Sequence, residues 1–255
     1  MEILDRRNGP TVEPLRPTPS QAALEELGDE LDRIAGAVAA GNHDLRALGF
    51  WRVVGRIKRD QLAIARYADE VARIDTHVFR TAVRTRVRPW IGVSALLLLS
   101  IGGVAAVVLA GIWTGLWAGL AIVGAGVAWS IGWHLPAHAF AGWLAGIRFT
   151  DAFLGGPPPP RPGVKTDYGT YLRAEPALRV WFHASGAIAT KLAPFVALAL
   201  WPATNAPGWA AWVLLGLGIL QIATDVAFSR KSSDWKKVAR ERTVARDIRN
   251  RWNRF

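Results

Sequence analysis

IGVSALLLLSIGGVAAVVLAGI, residues 91–112, is an apolar run without a charged side chain. At ~1.5 Å per residue, a helix of this length crosses the ~30 Å hydrocarbon core of a bilayer. Four arginines, Arg80, Arg84, Arg86 and Arg88, stand just before it. Apolar blocks with basic flanks are typical of membrane proteins, so this run predicts the first of several transmembrane helices.

Three more apolar segments follow, and the short sequences between them predict tight reversals. Residues 134–150 either continue the second helix or restart it at Pro136, because proline lacks a backbone N–H donor. Residues 151–180 are polar and rich in turn residues, which predicts a loop. The fold class expected is therefore an all-α membrane protein with four transmembrane helices, at residues 91–112, 116–133, about 182–201 and about 209–228.

The flanks predict the remaining organisation. Ser20 is a candidate N-cap and Gly41 a candidate helix stop, and residues 42–88 are expected to form further helix with a break near Asp60. Ser232, Ser233, Asp234 and Trp235 are interpreted as an interfacial stop with an aromatic anchor, ahead of a basic C-terminal helix. The expected divisions are a disordered lead-in at 1–19, cytoplasmic amphipathic helices at 20–89, the membrane domain at 90–229 and a basic cytoplasmic tail at 230–255.

Charge and cysteine content narrow the possible partners, the location and the possible chemistry of the protein. The net charge is +11, but the basic residues cluster beside the apolar blocks, which favours a lipid bilayer as the partner and argues against nucleic acid. Both short reversals lack Lys and Arg, so both termini are expected in the cytoplasm and the protein in the cytoplasmic membrane. The absence of cysteine excludes disulfides, thiolate ligands and cysteine nucleophiles.

The second span ends in a histidine pair. Trp133 to Gly142 reads WHLPAHAFAG, which places His134 and His138 four residues apart and so on one face of a helix. Two imidazoles at this spacing can bind one metal ion. The spacing is that of the zinc-protease pattern H-E-x-x-H, but Leu135 stands where that pattern has its glutamate.

Three further ionisable residues lie in or beside the apolar spans. Asp225, near the end of the fourth span, is expected at the same depth as the histidines and is the candidate third metal ligand. His183 and Lys191, in the third span, are candidates for a supporting role around it. Without a metal, the histidines are interfacial and Asp225 pairs with Lys191 or Arg230.

Together, these residues resemble the site-2 protease family of intramembrane zinc metalloproteases. The run after His138 (AFAGWLAGI) is similar to the family's sequence after its second histidine. The small residues after His183 (ASGAIATK) are similar to the opening of its next helix, and Asp225 falls where the family has its aspartate. The resemblance covers about residues 114–230 and implies zinc, or a similar divalent metal, at His134, His138 and Asp225.

Leu135 alters what the resemblance implies for chemistry. In such an enzyme the glutamate takes a proton from zinc-bound water and passes it to the leaving amine, and leucine does neither. The first hypothesis is therefore a non-proteolytic, metal-binding pseudo-enzyme that binds a transmembrane helix of another protein. Two alternatives stay open: an intramembrane metal-dependent hydrolase that uses a different base, and a structural subunit of a membrane complex without a metal.

Overall fold

The structure is a computed structural model and describes residues 19–155, 161–228 and 234–252. Over these residues the chain is nearly all helical, with four helices long and apolar enough to cross a membrane, which confirms the predicted fold class. The predicted lead-in lies outside the described residues, apart from Pro19. The last helix, α10 (Asp234–Trp252), agrees with the predicted basic C-terminal helix.

The chain divides into two compact units, Met1–Val53 and Val54–Phe255. In the first, α1 (Pro19–Ala39) buries an apolar stripe that includes Leu31 and Ile34. The helix begins one residue before the predicted cap Ser20. It stops before Gly41, as predicted, and the φ of 95° at this residue is one that glycine adopts readily.

Residues 42–49 are not helical, so the helix predicted from residue 42 begins later. Residues 45–49 form turns, because the Asp44 carboxylate accepts hydrogen bonds from the backbone N–H groups of Arg46 and Ala47. Helix α2 (Phe50–Ile57) follows. The predicted break at Asp60 is confirmed, since its side chain caps α3 (Gln61–Ala82) by accepting from two backbone N–H groups of the first turn.

The membrane spans belong to the second unit. They are formed by α4 (Pro89–Ile112), by α5 (Gly115–Gly132) with α6 (His134–Leu144), by α8 (Pro176–Leu200) and by α9 (Gly208–Phe228). The third span begins at Pro176, six residues earlier than predicted. The polar residues that argued against helix there include Arg179, which is fully buried and bonded to protein partners.

A small sheet replaces part of the predicted loop at 151–180. Strands β1 (Arg86–Val87), β2 (Phe149–Gly155) and β3 (Arg161–Thr166) pair antiparallel in that order. A short helix, α7 (Tyr168–Arg173), then leads into α8. Because β1 precedes α4 and β2 follows α6, the sheet lies at one end of the bundle, which we call the sheet end.

The opposite end, which we call the reversal end, holds the two short connections between spans. Exposed tryptophans mark both ends, as expected for side chains at the two boundaries of a bilayer. The exposed indoles are Trp90, Trp143, Trp181 and Trp235 at the sheet end, and Trp113, Trp117, Trp209 and Trp212 at the reversal end.

Candidate metal centre

The two histidines of the WHLPAHAFAG sequence open α6. The α5 helix ends at Gly132 and a new helix starts at His134, so Pro136 lies in a first turn, where its missing N–H breaks no hydrogen bond. The imidazoles of His134 and His138 therefore share one face, with ring centroids 4.8 Å apart and planes at 89°. This arrangement agrees with the predicted pair and with a restart of the helix at this point.

The third group in this cluster is Asp234, the first residue of α10. Its Oδ2 lies 3.3 Å from Nε2 of His138 and 3.7 Å from Nε2 of His134. Among the described residues, these three are the ones whose ligand atoms converge, all within 4.8 Å of one another. A metal ion at this point would meet two imidazole nitrogens and one carboxylate.

Asp225, the expected third ligand, is not part of this cluster. Its Oδ2 lies 2.6 Å from Nζ of Lys191 and accepts a hydrogen bond of 2.6 Å from the indole N–H of Trp235. Lys191 is thus its partner, as the metal-free alternative expected, while Arg230 lies outside the described residues. The metal-free alternative also expected histidines that do not converge on one point. This part of it does not hold, because the histidines do converge.

The hydrogen bonds behind the two rings fix which nitrogen carries the proton. Nδ1 of His138 lies 2.6 Å from the carbonyl oxygen of Phe182, which can only accept. Nδ1 of His134 lies 3.0 Å from the Thr190 hydroxyl, whose own proton is donated to the Gly186 carbonyl. Both Nδ1 atoms are therefore donors, and in the neutral rings both Nε2 atoms present lone pairs.

With both rings neutral, the two Nε2 lone pairs and Oδ2 of Asp234 are acceptors that face one another, while Lys237 lies on the other carboxylate oxygen, Oδ1. A cation between the three atoms, either a proton on one ring or a metal ion, removes this mismatch. A single proton on one ring joins only two of the three atoms, whereas a metal ion joins all three. Ligands of a tetrahedral zinc ion with bonds of ~2.0–2.2 Å stand about 3.3–3.5 Å apart, close to both carboxylate–imidazole distances. The residues present therefore fit a divalent metal.

Asp234 is suited to this role because it remains ionised. Burial by itself raises the pKa of the Asp234 carboxyl, but a hydrogen bond from His138 in its protonated, metal-free form and the positive charge of Lys237 outweigh burial and hold the pKa well below its usual range. Nζ of Lys237 lies 3.0 Å from Oδ1, which leaves Oδ2 directed at the histidines.

A cavity of about 260 Å³ opens in front of the three groups. Leu135, 4% exposed, lines it beside the histidines, so the position where the zinc-protease pattern has a carboxylate presents an apolar side chain to the same space. Strand β3 forms part of the wall through Gly163, Val164 and Thr166. Three protein ligands with an open side toward a cavity are typical of metal sites that accept an additional ligand.

Close packing of α6 against α8 brings the second histidine to the cluster. A Cβ atom at Gly186 would collide with the imidazole of His138 and lie 2.8 Å from the carbonyl oxygen of His134. The small residues at 184–187 thus allow α6 to approach α8 closely, and glycine at 186 is required by the space that His138 occupies.

His183 and Lys191 both lie near the cluster but differ in position. His183 lines the cavity, and its Nε2 lies 2.8 Å from the hydroxyl of Tyr171. That hydroxyl donates to Glu241 at 2.7 Å. Lys191, by contrast, is not among the residues that line this cavity, and its Nζ bonds to Asp225 and to the carbonyl of Ala187.

A buried charge cluster lies behind His183 and ties α10 to the rest of the unit. Glu241, 3% exposed, bonds through Oε2 to Nε of Arg179 at 2.8 Å and through Oε1 to Lys58. Burial alone raises the pKa of Glu241, but the charges of Lys58 and Arg179 outweigh it and hold the pKa below its ordinary value. The pKa of Lys58 is lowered, because burial and the positive charges of Arg179 and Arg240 together outweigh the opposing effect of Glu241.

Sequence reasoning identified both histidines and their metal-binding geometry but not Asp234. The available signal was its place directly before a basic helix and after the fourth span, at the same end of the bundle as the histidines. Comparisons with protein-family models, curated proteins and solved structures found no match to this chain.

Proposed function

We propose that this chain is an integral membrane protein that holds a divalent metal ion, with zinc the first candidate, at His134, His138 and Asp234. The observation that carries the proposal is the convergence of three ligand atoms: both Nδ1 atoms donate behind the rings, so in the neutral rings both Nε2 lone pairs face Oδ2 of Asp234. Imidazole nitrogen and carboxylate oxygen are common zinc ligands.

We further propose a site-2-protease-like protein that does not cleave peptides. The run from His134 to Gly142 resembles that family, while Leu135 supplies no base next to the histidines. Half of the residues that line the cavity are apolar, and Leu135 is one of them at the position of the family's base, which favours binding over hydrolysis by the family's usual route. Its partner would be a transmembrane helix of another protein, presented at the sheet end.

The orientation proposed is that of a cytoplasmic-membrane protein with the sheet end in the cytoplasm. The connections at the reversal end, residues 113–114 and 201–207, contain no Lys or Arg, whereas the sheet end carries the arginines before α4 and the basic helix α10. Positively charged flanks remain on the cytoplasmic side during insertion.

Metal content provides the direct test. The protein is purified from membranes in detergent, dialysed without chelator and measured by mass spectrometry for bound metals. We expect stoichiometric divalent metal in the wild type, loss of it in His138→Ala and Asp234→Ala, and no change in His77→Ala, which alters an exposed histidine on α3. A wild-type protein that neither retains zinc nor binds added zinc contradicts the proposal.

A metal-dependent hydrolase is the second candidate, and His183 is the observation that favours it. Since the Tyr171 hydroxyl donates to Glu241, Nε2 of His183 is the donor to Tyr171, and its Nδ1 is left as a lone pair. His183 lines the cavity and is thus available as a proton acceptor. Metal-dependent cleavage of membrane peptides that His183→Gln abolishes without loss of bound zinc would support this function over the first.

A further inference from the structure

We infer that Asp225 and Trp235 act as positioning residues that hold Asp234 in front of the two histidines. This inference rests on the proposed metal centre and assigns a role to a carboxylate that does not itself reach the metal position. It concerns how α10 is attached to the membrane helices at its first turn.

The contact pattern is short and specific. Asp234 begins α10, and the next residue, Trp235, donates its indole N–H to Oδ2 of Asp225 at 2.6 Å. The same oxygen lies 2.6 Å from Nζ of Lys191 on α8. One carboxylate on α9 therefore joins α8 to the start of α10.

This placement has a direct effect on the third ligand. The backbone of Asp234 is one residue from the anchored indole, so the position of its carboxylate depends on that hydrogen bond. The two histidines are fixed independently, by Phe182 and Thr190 on α8. Asp234 is the ligand that comes from outside α6, and the bond from Trp235 to Asp225 fixes it near the histidines.

The ion pair with Lys191 explains why a carboxylate lies in an apolar span. A charged group within a membrane helix is costly unless it is paired, and Lys191 supplies the opposite charge while Trp235 supplies a second donor. With both donors on Oδ2, Asp225 is committed to Lys191 and Trp235. If Asp225 is an anchor, its substitution should weaken zinc binding at unchanged stoichiometry. If it were a ligand, its substitution would remove the zinc.

The test measures zinc affinity by competition with a chromophoric chelator, together with the visible absorption spectrum of the cobalt-loaded protein. Trp235→Phe removes the N–H donor and keeps an aromatic ring, and Asp225→Ala removes the acceptor. We expect each to weaken zinc binding by about 10–100-fold at unchanged stoichiometry, as substitutions behind metal ligands do. We also expect each to alter the cobalt spectrum, because the carboxylate ligand is displaced.

Two further comparisons make the test specific. The double variant should bind zinc no more weakly than Asp225→Ala alone, because Asp225→Ala already breaks the hydrogen bond that Trp235→Phe removes. Asp225→Asn, which keeps an acceptor oxygen for the indole, should recover part of the affinity lost in Asp225→Ala. Trp181→Phe, on α8 at the same end of the bundle, serves as the matched control and should leave affinity and spectrum unchanged.

The outcomes separate this inference from the proposed function. Wild-type protein that binds no metal defeats both. Wild-type protein that binds zinc, with unchanged affinity and cobalt spectrum in Trp235→Phe, overturns the positioning role alone. Loss of zinc stoichiometry in Asp225→Ala with no effect of Trp235→Phe would make Asp225 a ligand and also overturn it.

Discussion

At Gly186 the space that any other residue would fill with Cβ is taken by the imidazole of His138. The candidate metal centre therefore depends on a residue whose side chain takes part in no chemistry. Helical glycine is usually a weakness, since alanine favours the helix by roughly 0.5–1 kcal/mol. Here the contact between α6 and α8 outweighs that preference, because no larger side chain fits.

Gly186→Ala is predicted to displace His138 and to destroy the metal site. The overpacking should also lower the free energy of unfolding by about 1–3 kcal/mol. Zinc content and thermal unfolding in detergent measure the two effects. Gly216→Ala is the matched control, because a Cβ at Gly216 on α9 meets no atom within 4 Å, and retained zinc in Gly186→Ala would contradict the packing argument.

Leu135→Glu is predicted to make stability depend more strongly on metal. A carboxylate at this buried position loses its hydration and lies near the carboxylate of Asp234, so the metal-free variant should unfold at a lower temperature than the wild type. Added zinc should raise its midpoint by more than it raises that of the wild type, since the new carboxylate adds a ligand or a counter-charge. Leu135→Gln, of the same size without charge, should show a smaller response to zinc; equal responses would refute the prediction.

The histidine pair follows from sequence because its two members share one helix, where spacing alone determines the face. The proposed third ligand could not be predicted in this way, because Asp225 and Asp234 lie on either side of a connection, and the sequence does not show the path of that connection. Asp225 is a candidate from sequence because it is a charged residue within an apolar span. In the structure its charge is paired with that of Lys191. Asp234 has no such signal, since polar residues before a helix are common caps.

Among the elements, α10 contributes most to the site from outside the membrane spans. It supplies Asp234 at its first residue and Glu241 two turns later, and Glu241 contacts residues from three other segments, Lys58, Tyr171 and Arg179. A buried carboxylate with two cations stabilises the folded state only as long as all partners remain. The attachment of α10 is therefore sensitive to loss of one charge.

Glu241→Gln is predicted to lower the free energy of unfolding by about 3–5 kcal/mol at neutral pH, because it leaves Arg179 and Lys58 as uncompensated buried charges. The pKa of Glu241 is lowered in the folded protein, so its contribution is present above the unfolded value of about 4.3 and is lost as the pH falls through the folded value. The difference between the wild type and Glu241→Gln should therefore shrink on acidification below about pH 4.

Denaturant unfolding of both proteins across this pH range measures the difference. Glu70→Gln is a suitable control, since Glu70 pairs at the surface with Arg73 and should change stability by less than about 1 kcal/mol. A difference that grows on acidification would have the wrong sign and would exclude the assigned role of Glu241.

Among the elements, the membrane spans could be predicted from sequence and the sheet could not. Apolar composition alone locates α4, because a long run without charge has one stable solution in a bilayer. The sheet depends on pairs such as Arg86 with Phe153, far apart in sequence, and its strands lack a regular alternation. The sequence places the start of α8 too far along the chain, because Arg179 is hydrophilic in isolation. Its charged side chain is compensated only by partners from α7 and α10.

At the scale of the whole molecule, the bundle presents two ends of different charge. The sheet end carries the candidate centre and the basic segments, and the reversal end consists of two short connections. Large apolar side chains such as Leu98, Ile101 and Val226 are exposed on the spans, as expected for surfaces that contact lipid. The direction of the bundle in the membrane is open to a direct test.

Single cysteines in this cysteine-free chain are predicted to label from opposite sides of the membrane. Ala203→Cys, exposed at the reversal end, should react in intact cells with a maleimide that does not cross the membrane. Thr85→Cys and Thr243→Cys, exposed at the sheet end, should react only after permeabilisation. Labelling of all three in intact cells, or the reverse pattern, would refute the proposed orientation.

The separation of the ligands along the chain has a consequence for biosynthesis. His138 and Asp234 are 96 residues apart, and Asp234 follows the fourth span. At ~5–20 residues per second, a ribosome takes roughly 5–20 s to make the intervening polypeptide. During that interval the nascent protein displays two imidazoles without their carboxylate, so the proposed metal site would be complete only after the fourth span and the start of α10 have been made.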